Sequence, residues 1–247
     1  MNILIYGATS RIAHECARLW AREGHSLVLM GRDPARLEAV AADLRVLAGD
    51  AGRVRAVALD LADEASARER IIETDTQAGG FDVALVAHGL LPKQAATQSD
   101  PAQLRQAVEV NALSVAQLAE AVAGLFEARR RGTIAVIGSV AGDRGRQSNY
   151  VYGASKGFVE RYCQGLRNRL YPAGVAVVLV KPGPTDTPMT RDMGQAPGKL
   201  ADPADVARDI VRGVAKRKAV VYTPGLWRWI MMIIRSIPES LFVRLKL

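Results

Sequence analysis

The feature that most constrains this chain is a regular alternation of two patterns. Short apolar runs rich in β-branched residues, each strand-sized and bounded by turn residues, recur at 2–6, 26–30, 54–59, 83–87, 133–137, 175–180 and 220–222. Between them, residues 12–22, 35–44, 64–76, 101–129, 150–170 and 203–217 carry apolar side chains at helical spacing. Near-continuous apolar strands joined by helices are what a parallel sheet covered on both faces requires, because right-handed crossovers place the helices there. The expected fold is therefore α/β, a single-domain doubly wound parallel sheet of about seven strands with helices on both faces. With 49% apolar side chains in 247 residues, the chain has the material for such a core. It shows no internal repeat and no Ser/Gly linker, so one domain is expected over 1–225, followed by an amphipathic helical tail over 226–247.

Several function classes fall away on composition. Cys16 and Cys163 lie far apart with no CxxC or His-rich neighbourhood, so neither a disulfide framework nor a metal site is expected and a reducing cytoplasm is the default. Met1-Asn2 runs straight into Ile3-Leu4-Ile5 with no basic leader, which reads as no signal peptide. The chain holds 33 Lys/Arg against 25 Asp/Glu, but residues 204–247 alone hold nine against three. The excess is a property of the tail. A nucleic-acid protein would spread a basic stripe over its main domain, so none is expected as partner, and an anionic membrane surface suits the basic, apolar tail better.

The first strand runs into Gly7-Ala8-Thr9-Ser10-Arg11-Ile12-Ala13 and a helix. This is the strand–turn–helix context in which a Rossmann loop presents backbone N–H groups and a helix N-terminus to a pyrophosphate. Only the first glycine of that pattern is present, and a plain strand–helix turn would look similar. The second strand ends in Gly31-Arg32-Asp33. An Arg here can grip a 2′-phosphate, whereas an acidic residue would accept the ribose hydroxyls of NAD. Arg32 thus points to NADP(H) rather than NAD(H), the alternative being a solvated arginine. Asp33 and Pro34 suit the N-cap and first position of the next helix.

Gly138-Ser139-Val140-Ala141-Gly142 closes the fifth strand, and Tyr152-Gly153-Ala154-Ser155-Lys156 follows. Tyr and Lys at i and i+4 share one helix face. The ammonium near the phenol is expected to lower its ordinary pKa of about 10 toward working pH, as proton exchange with a carbonyl oxygen requires. Ser139 is placed to hydrogen-bond the same oxygen.

On these residues the chain resembles the short-chain dehydrogenase/reductase family over nearly its whole length. The resemblance implies that Tyr152 and Lys156 are the acid/base pair, Ser139 the substrate-binding serine and Asn111 the helix asparagine that holds a proton-relay water. It implies that Gly7, Thr9, Ser10, Arg11 and Ile12 meet the cofactor's phosphates, and that Asp60-Leu61 flank its adenine. Ala87 and Gly89 fall in the segment that this family usually writes Asn-Asn-Ala-Gly. Pro182, Gly183, Thr185 and Thr187 match the segment that contacts the nicotinamide, with Thr187 at its carboxamide. Two departures stand out: Arg11 and Ala13 replace loop glycines, and Val86-Ala87-His88-Gly89 replaces the usual asparagines. His88 could meet cofactor or substrate, or satisfy a loop carbonyl.

A narrower resemblance rests on Ala87-His88-Gly89, on Ala141-Gly142-Asp143-Arg144-Gly145-Arg146 and on the apolar tail. It is to the branch containing decaprenylphosphoryl-ribose epimerisation reductases, which reduce a 2-keto sugar on a polyprenyl phosphate. Arg144 and Arg146 are then either contacts for a substrate phosphate or solvated loop arginines. The implied activity is NADP(H)-dependent hydride transfer to a carbonyl of a small or lipid-linked substrate. The rivals are an acyl-chain ketoreductase and a non-catalytic NADP(H)-binding protein associated with a membrane. The Pro- and Gly-rich loop 183–200 is expected to be a substrate lid with few backbone hydrogen bonds. In the tail, Arg228 and Arg235 fall on one helical face and Trp229, Ile230, Ile233 and Ile237 on the other. The stretch is far short of the roughly 20 apolar residues of a membrane span. It suits either a helix lying on the inner face of the membrane, with the protein otherwise cytoplasmic, or an interface in a homo-oligomer, dimer or tetramer.

Overall fold

The protein, a computed structural model describing residues 1–59, 64–191 and 200–245, alternates strand and helix from its first residues. Strand β1 (Asn2–Tyr6) leads to α1 (Arg11–Arg22), β2 (Ser26–Gly31) to α2 (Pro34–Ala48) and β3 (Val54–Ala58) to α3 (Glu64–Gln77). After β4 (Val83–Val86) come α4 (Gln94–Ser99), α5 (Pro101–Val108), a π-helical turn at Glu109–Leu113, and α6 (Ser114–Arg129). Strand β5 (Thr133–Ile137) is followed by α7 (Tyr150–Leu170), and β6 (Ala176–Pro182) by α8 (Pro188–Arg191) and α9 (Pro203–Ala215). The chain closes with β7 (Val220–Thr223), α10 (Trp227–Ser236) and α11 (Glu239–Phe242).

The seven strands form one parallel sheet in the order β3-β2-β1-β4-β5-β6-β7. Successive side chains point to opposite faces of a strand, and both faces are apolar here. Ile3, Ile5, Leu27 and Leu29 pack with α1, α2 and α9 through residues such as Trp20, Leu37 and Ile210. Leu4, Val28 and Met30 pack on the other face with α3, α6 and α7 through Ile71, Phe126 and Val159. The doubly wound single domain expected from the sequence is the one present. Its strand order reverses between β1 and β4, and the crevice at the carboxyl ends of strands there is where sheets of this kind hold ligands.

Helix starts are written into the sequence as Asp-Pro pairs. Asp33, Asp100 and Asp202 accept hydrogen bonds from the N–H of Arg36 (3.0 Å), Ala102 (2.8 Å) and Ala204 (2.7 Å), each with proline at the first helical position. Helix α1 differs: Ser10 gives it no side-chain cap and its first turn has no acidic residue. Its N–H groups are left for another acceptor.

Two departures from the expected elements bear on the site. The single helix expected over 101–129 is broken by the π-helical turn, whose extra residue shifts the helical phase and brings Asn111 into the interior, 0% exposed. Strand β6 runs two residues past its expected end, carrying Lys181 into the sheet beside Tyr222 of β7.

Candidate active site

Ser139, just past the end of β5, and Tyr152, in the first turn of α7, come together, the serine hydroxyl close enough to act on the ionisation of the phenol. The Ser139 Oγ also accepts from Ala141 N at 3.1 Å, which fixes its rotamer. What brings the two elements together is close backbone packing. A Cβ on Gly142 would lie 2.8 Å from the backbone carbon of Lys156, and one on Gly153 2.9 Å from the Ala141 carbonyl oxygen. Only glycine lets the turn Val140–Gly142 press this tightly onto α7.

One turn along from Tyr152, Lys156 is buried and its Nζ donates to the Ile137 carbonyl at 3.1 Å, 5.9 Å from the Tyr152 ring centroid. Burial pulls its pKa down to about 8. Burial pushes the Tyr152 phenol up, and the Ser139 hydroxyl offsets that only in part. The expected fall of the phenol toward neutrality is therefore not what this arrangement produces: desolvation of the phenolate dominates. Tyr152 is neutral at working pH, the form that donates a proton. Asn111, the fourth residue singled out by sequence, is close by, but its side chain is committed to Leu90, donating to the carbonyl and accepting from the N–H, both at 2.8 Å. It pins the segment after β4 that contains Gly89, where a Cβ would meet Asn111 Oδ1 at 2.9 Å and Lys156 Nζ at 3.6 Å.

Those of the residues expected to hold a dinucleotide that the structure describes lie at or just beyond the carboxyl ends of the strands. Gly7 adopts a left-handed φ of 74° and lies so close to His88 that a Cβ would fall 2.6 Å from its backbone nitrogen. Thr9, Ser10 and Ile12 are half-buried around the uncapped start of α1, and Arg11 is exposed and paired with Glu15 at 2.8 Å. Arg32 is exposed just beyond β2 and forms no ion pair among the described residues. Ala87 is buried at the end of β4. Pro182 and Gly183 are buried where β6 ends, and Thr185 and Thr187 are buried beyond them, Thr185 Oγ1 donating to the Gly183 carbonyl at 3.0 Å. Asp60 and Leu61 lie outside the described residues, as do 192–199 of the expected lid. The ends of that loop are better tied than its composition suggests. Asp186 N donates to the Ala201 carbonyl and Ala201 N to the Pro184 carbonyl, both at 2.9 Å.

His88 is neutral. Its Nε2 bonds the Ser114 hydroxyl at 2.8 Å, and burial, with Lys156 and Arg32 nearby, lowers its pKa to about 3. Its Nδ1 is buried with no hydrogen-bond partner among the described residues.

Ser139, Tyr152 and Lys156 are thus brought together beyond β5 of a doubly wound sheet. The sequence model for short chain dehydrogenases covers residues 1–198. The chain belongs to the short-chain dehydrogenase family. An uncharacterized oxidoreductase of Streptomyces coelicolor is 31% identical over 99% of this chain and 95% of its own. A short-chain dehydrogenase of Sphingobium yanoikuyae, solved in complex with NADPH, superposes with a TM-score of 0.82 at 29% identity, over 97% of each chain. The bulky-bulky ketone specific alcohol dehydrogenase of Comamonas testosteroni gives 0.79 at 26% identity, over 97% of this chain and 95% of its own. The protein is a nucleotide-dependent oxidoreductase of this short-chain family.

Three features escaped sequence reasoning. Lys181 is buried against two carboxylates, Asp143 at 2.5 Å and Glu160 at 2.8 Å, and Tyr222 donates to the other Asp143 oxygen at 2.7 Å. Burial works against the Lys181 charge, but the carboxylates outweigh it and hold its pKa above the ordinary value. The lysine interrupting an otherwise apolar strand was the available signal. Second, Trp227 of α10 lies against Gly183, where a Cβ would fall inside the indole.

Third, Arg144 is neither solvated nor open to a substrate phosphate. Its guanidinium donates to the carbonyls of Ile234 (2.8 Å), Arg235 (3.3 Å) and Ile237 (2.6 Å), pairs with Glu239 at 2.7 Å and lies 3.9 Å over the Phe242 ring. It caps the carboxyl end of α10, which supplies the unpaired carbonyls a cation favours. Arg146 is half-buried beneath the same helix, with Met231 Sδ at 3.3 Å from its Nη2. Replacing Arg144 by Ala is expected to speed amide hydrogen exchange in 227–242 by about tenfold or more, the scale of a lost charge-assisted bond, with NADPH affinity unchanged. Unaltered exchange there would show that Arg144 does not hold the tail.

Proposed function

We propose that the protein is an NADPH-dependent reductase that delivers hydride to a substrate ketone, working as a homo-oligomer of two or four copies and peripherally at the cytoplasmic face of a membrane. The observation that carries the chemistry is the close packing of the serine-bearing segment on α7 at Gly142 and Gly153, which sets Ser139 beside Tyr152 with the phenol held in its neutral form by burial. A dinucleotide is supported by three features: α1 begins with no side-chain cap and no acid in its first turn, Gly7 takes the left-handed turn that leads β1 into it, and Arg32 has no competing ion pair among the described residues.

Gly7, Thr9, Ser10, Arg11 and Ile12 would hold the pyrophosphate, Arg32 the 2′-phosphate, and Ala87 and Gly89 the adenosine side. Asp60 and Leu61 are assigned to the adenine on the family resemblance. Pro182, Gly183, Thr185 and Thr187 would hold the nicotinamide. When bound, NADPH supplies the hydride. Tyr152 would give its phenolic proton to the carbonyl oxygen, Ser139 would orient that oxygen, and Lys156 would hold the nicotinamide ribose beside the tyrosine. Asn111, through Leu90, keeps the segment after β4 in place beside Lys156, and its relay water restores the proton.

For the substrate, a ketone carrying an anionic group is the reading a specific observation favours. Arg146 Nε is buried without a hydrogen-bond partner, and burial lowers the pKa of its guanidinium. An anion such as the phosphate of a lipid-linked 2-keto sugar would pair it; an acyl-chain ketone would not. With Arg144 committed to the tail, Arg146 alone carries this preference.

Tyr152→Phe is expected to retain NADPH binding and lose turnover by about 10²-fold or more, the usual scale for a general acid. Near wild-type rates in a single-turnover NADPH oxidation would refute its role. Arg32→Ala should weaken NADPH by roughly tenfold to 150-fold and leave NADH unchanged, as a charge-assisted bond to a phosphate predicts. Equal dissociation constants for the two cofactors in the wild-type protein would contradict the assignment.

A further inference from the structure

The tail was expected to present one apolar face and one basic face, and the structure divides it differently. Helix α10 is apolar almost all round, and two of its faces have different fates. Trp227, Ile230, Met231 and Ile234 turn toward the domain, Met231 being 0% exposed. Leu226, Trp229, Met232 and Ile233 point outward, and Leu241, Val243 and Leu245 extend the outward surface beyond α11. Ile233 is 63% exposed and Val243 69%. Leaving this many large apolar side chains in water is unusual for a surface helix, whose outer face is ordinarily polar. Arg144 and Phe242 hold the segment firmly, so the exposure belongs to a fixed surface.

Its rim is of one sign. Arg228, Arg235 and Arg244 are exposed and form no ion pairs among the described residues. Glu239, the single acid in 220–245, is already paired with Arg144. A second copy docked symmetrically on this face would set arginines against arginines with no free carboxylate to meet them. An anionic bilayer meets both halves of the surface, burying the apolar side chains at the acyl boundary and pairing the arginines with headgroups. Ten residues of helix make about 15 Å, half of a hydrocarbon core, so α10 lies along a membrane and does not cross it.

We propose that Leu226, Trp229, Met232, Ile233, Leu241 and Val243, rimmed by Arg228, Arg235 and Arg244, form a docking surface for an anionic lipid bilayer. Trp227 against Gly183 places that surface beside the strand end where the nicotinamide is assigned, so a lipid-borne ketone would reach the cleft from the membrane side. The docking surface rests on the peripheral placement proposed above and not on the chemistry, and vesicle binding reads it without turnover.

The test is co-sedimentation of the full-length protein with phosphatidylglycerol vesicles and with phosphatidylcholine vesicles, beside its molecular mass in solution. The wild-type protein should bind phosphatidylglycerol vesicles and bind phosphatidylcholine far more weakly. Combined Arg228→Gln, Arg235→Gln and Arg244→Gln should weaken binding by about fivefold per arginine. Trp229→Ser with Ile233→Ser should weaken it by about tenfold or more, and both variants should keep the wild-type mass and NADPH affinity. No binding by the wild-type protein, or equal binding to the two lipids, would overturn the proposal. So would a fall in mass of the Trp229→Ser/Ile233→Ser variant with vesicle binding unchanged, which would assign the face to a second copy.

Discussion

Gly142 and Gly153 let the segment after β5 lie directly on the backbone of α7, and the rest of the site depends on that approach. A methyl at either position would meet main-chain atoms, which cannot move aside as a flexible side chain can, and would drive Ser139 away from Tyr152. The next residue, Asp143, is then drawn inward by Lys181 and Tyr222, and Lys181 also holds Glu160 of α7. Strands β6 and β7, helix α7 and the serine-bearing segment are thus joined at one buried cluster. Removing one partner would strand a charge in the interior, which is far more costly than the pair is stabilising. One residue further, Arg144 turns outward and takes hold of the tail. Neighbouring residues thus anchor the catalytic segment on its inner side and the tail on its outer side.

The electrostatics follow from burial more than from pairing. Desolvation raises the Tyr152 phenol, lowers Lys156 to about 8 and keeps His88 neutral. A neutral phenol beside Ser139 is in the form that can give a proton to an oxygen. Arg32, Lys156 and the uncapped start of α1 are electropositive elements, and no acid of the first turn of α1 opposes them.

Much of this was legible in the sequence, for physical reasons. A doubly wound sheet needs strands apolar on both faces, so runs such as Ile3-Leu4-Ile5 announce themselves, and Asp33-Pro34 marks a helix start by the chemistry of its cap. Tyr152 and Lys156 could be paired because a helix puts i and i+4 on one face. The π-helical turn at Glu109–Leu113 was not legible, because one inserted residue leaves the apolar pattern intact on either side. The direction of the Tyr152 shift was missed because spacing reports proximity and says nothing of desolvation. Arg144 and Arg146 were open to either solvent or substrate on sequence grounds. Their burial under α10 joins residues some ninety positions apart, a tertiary contact that local patterning does not encode.

The central claim is that a neutral Tyr152 donates the proton while a charged Lys156 stands beside it. The pH dependence of kcat/KM for NADPH in ketone reduction tests it most directly, because that ratio reports ionisations of the free enzyme. The account predicts a level profile through neutrality that falls as Lys156 loses its proton near its pKa of about 8, with no rising limb before it. A rate that climbs between about pH 7 and pH 9, as a requirement for the ionised phenol would produce, would contradict it.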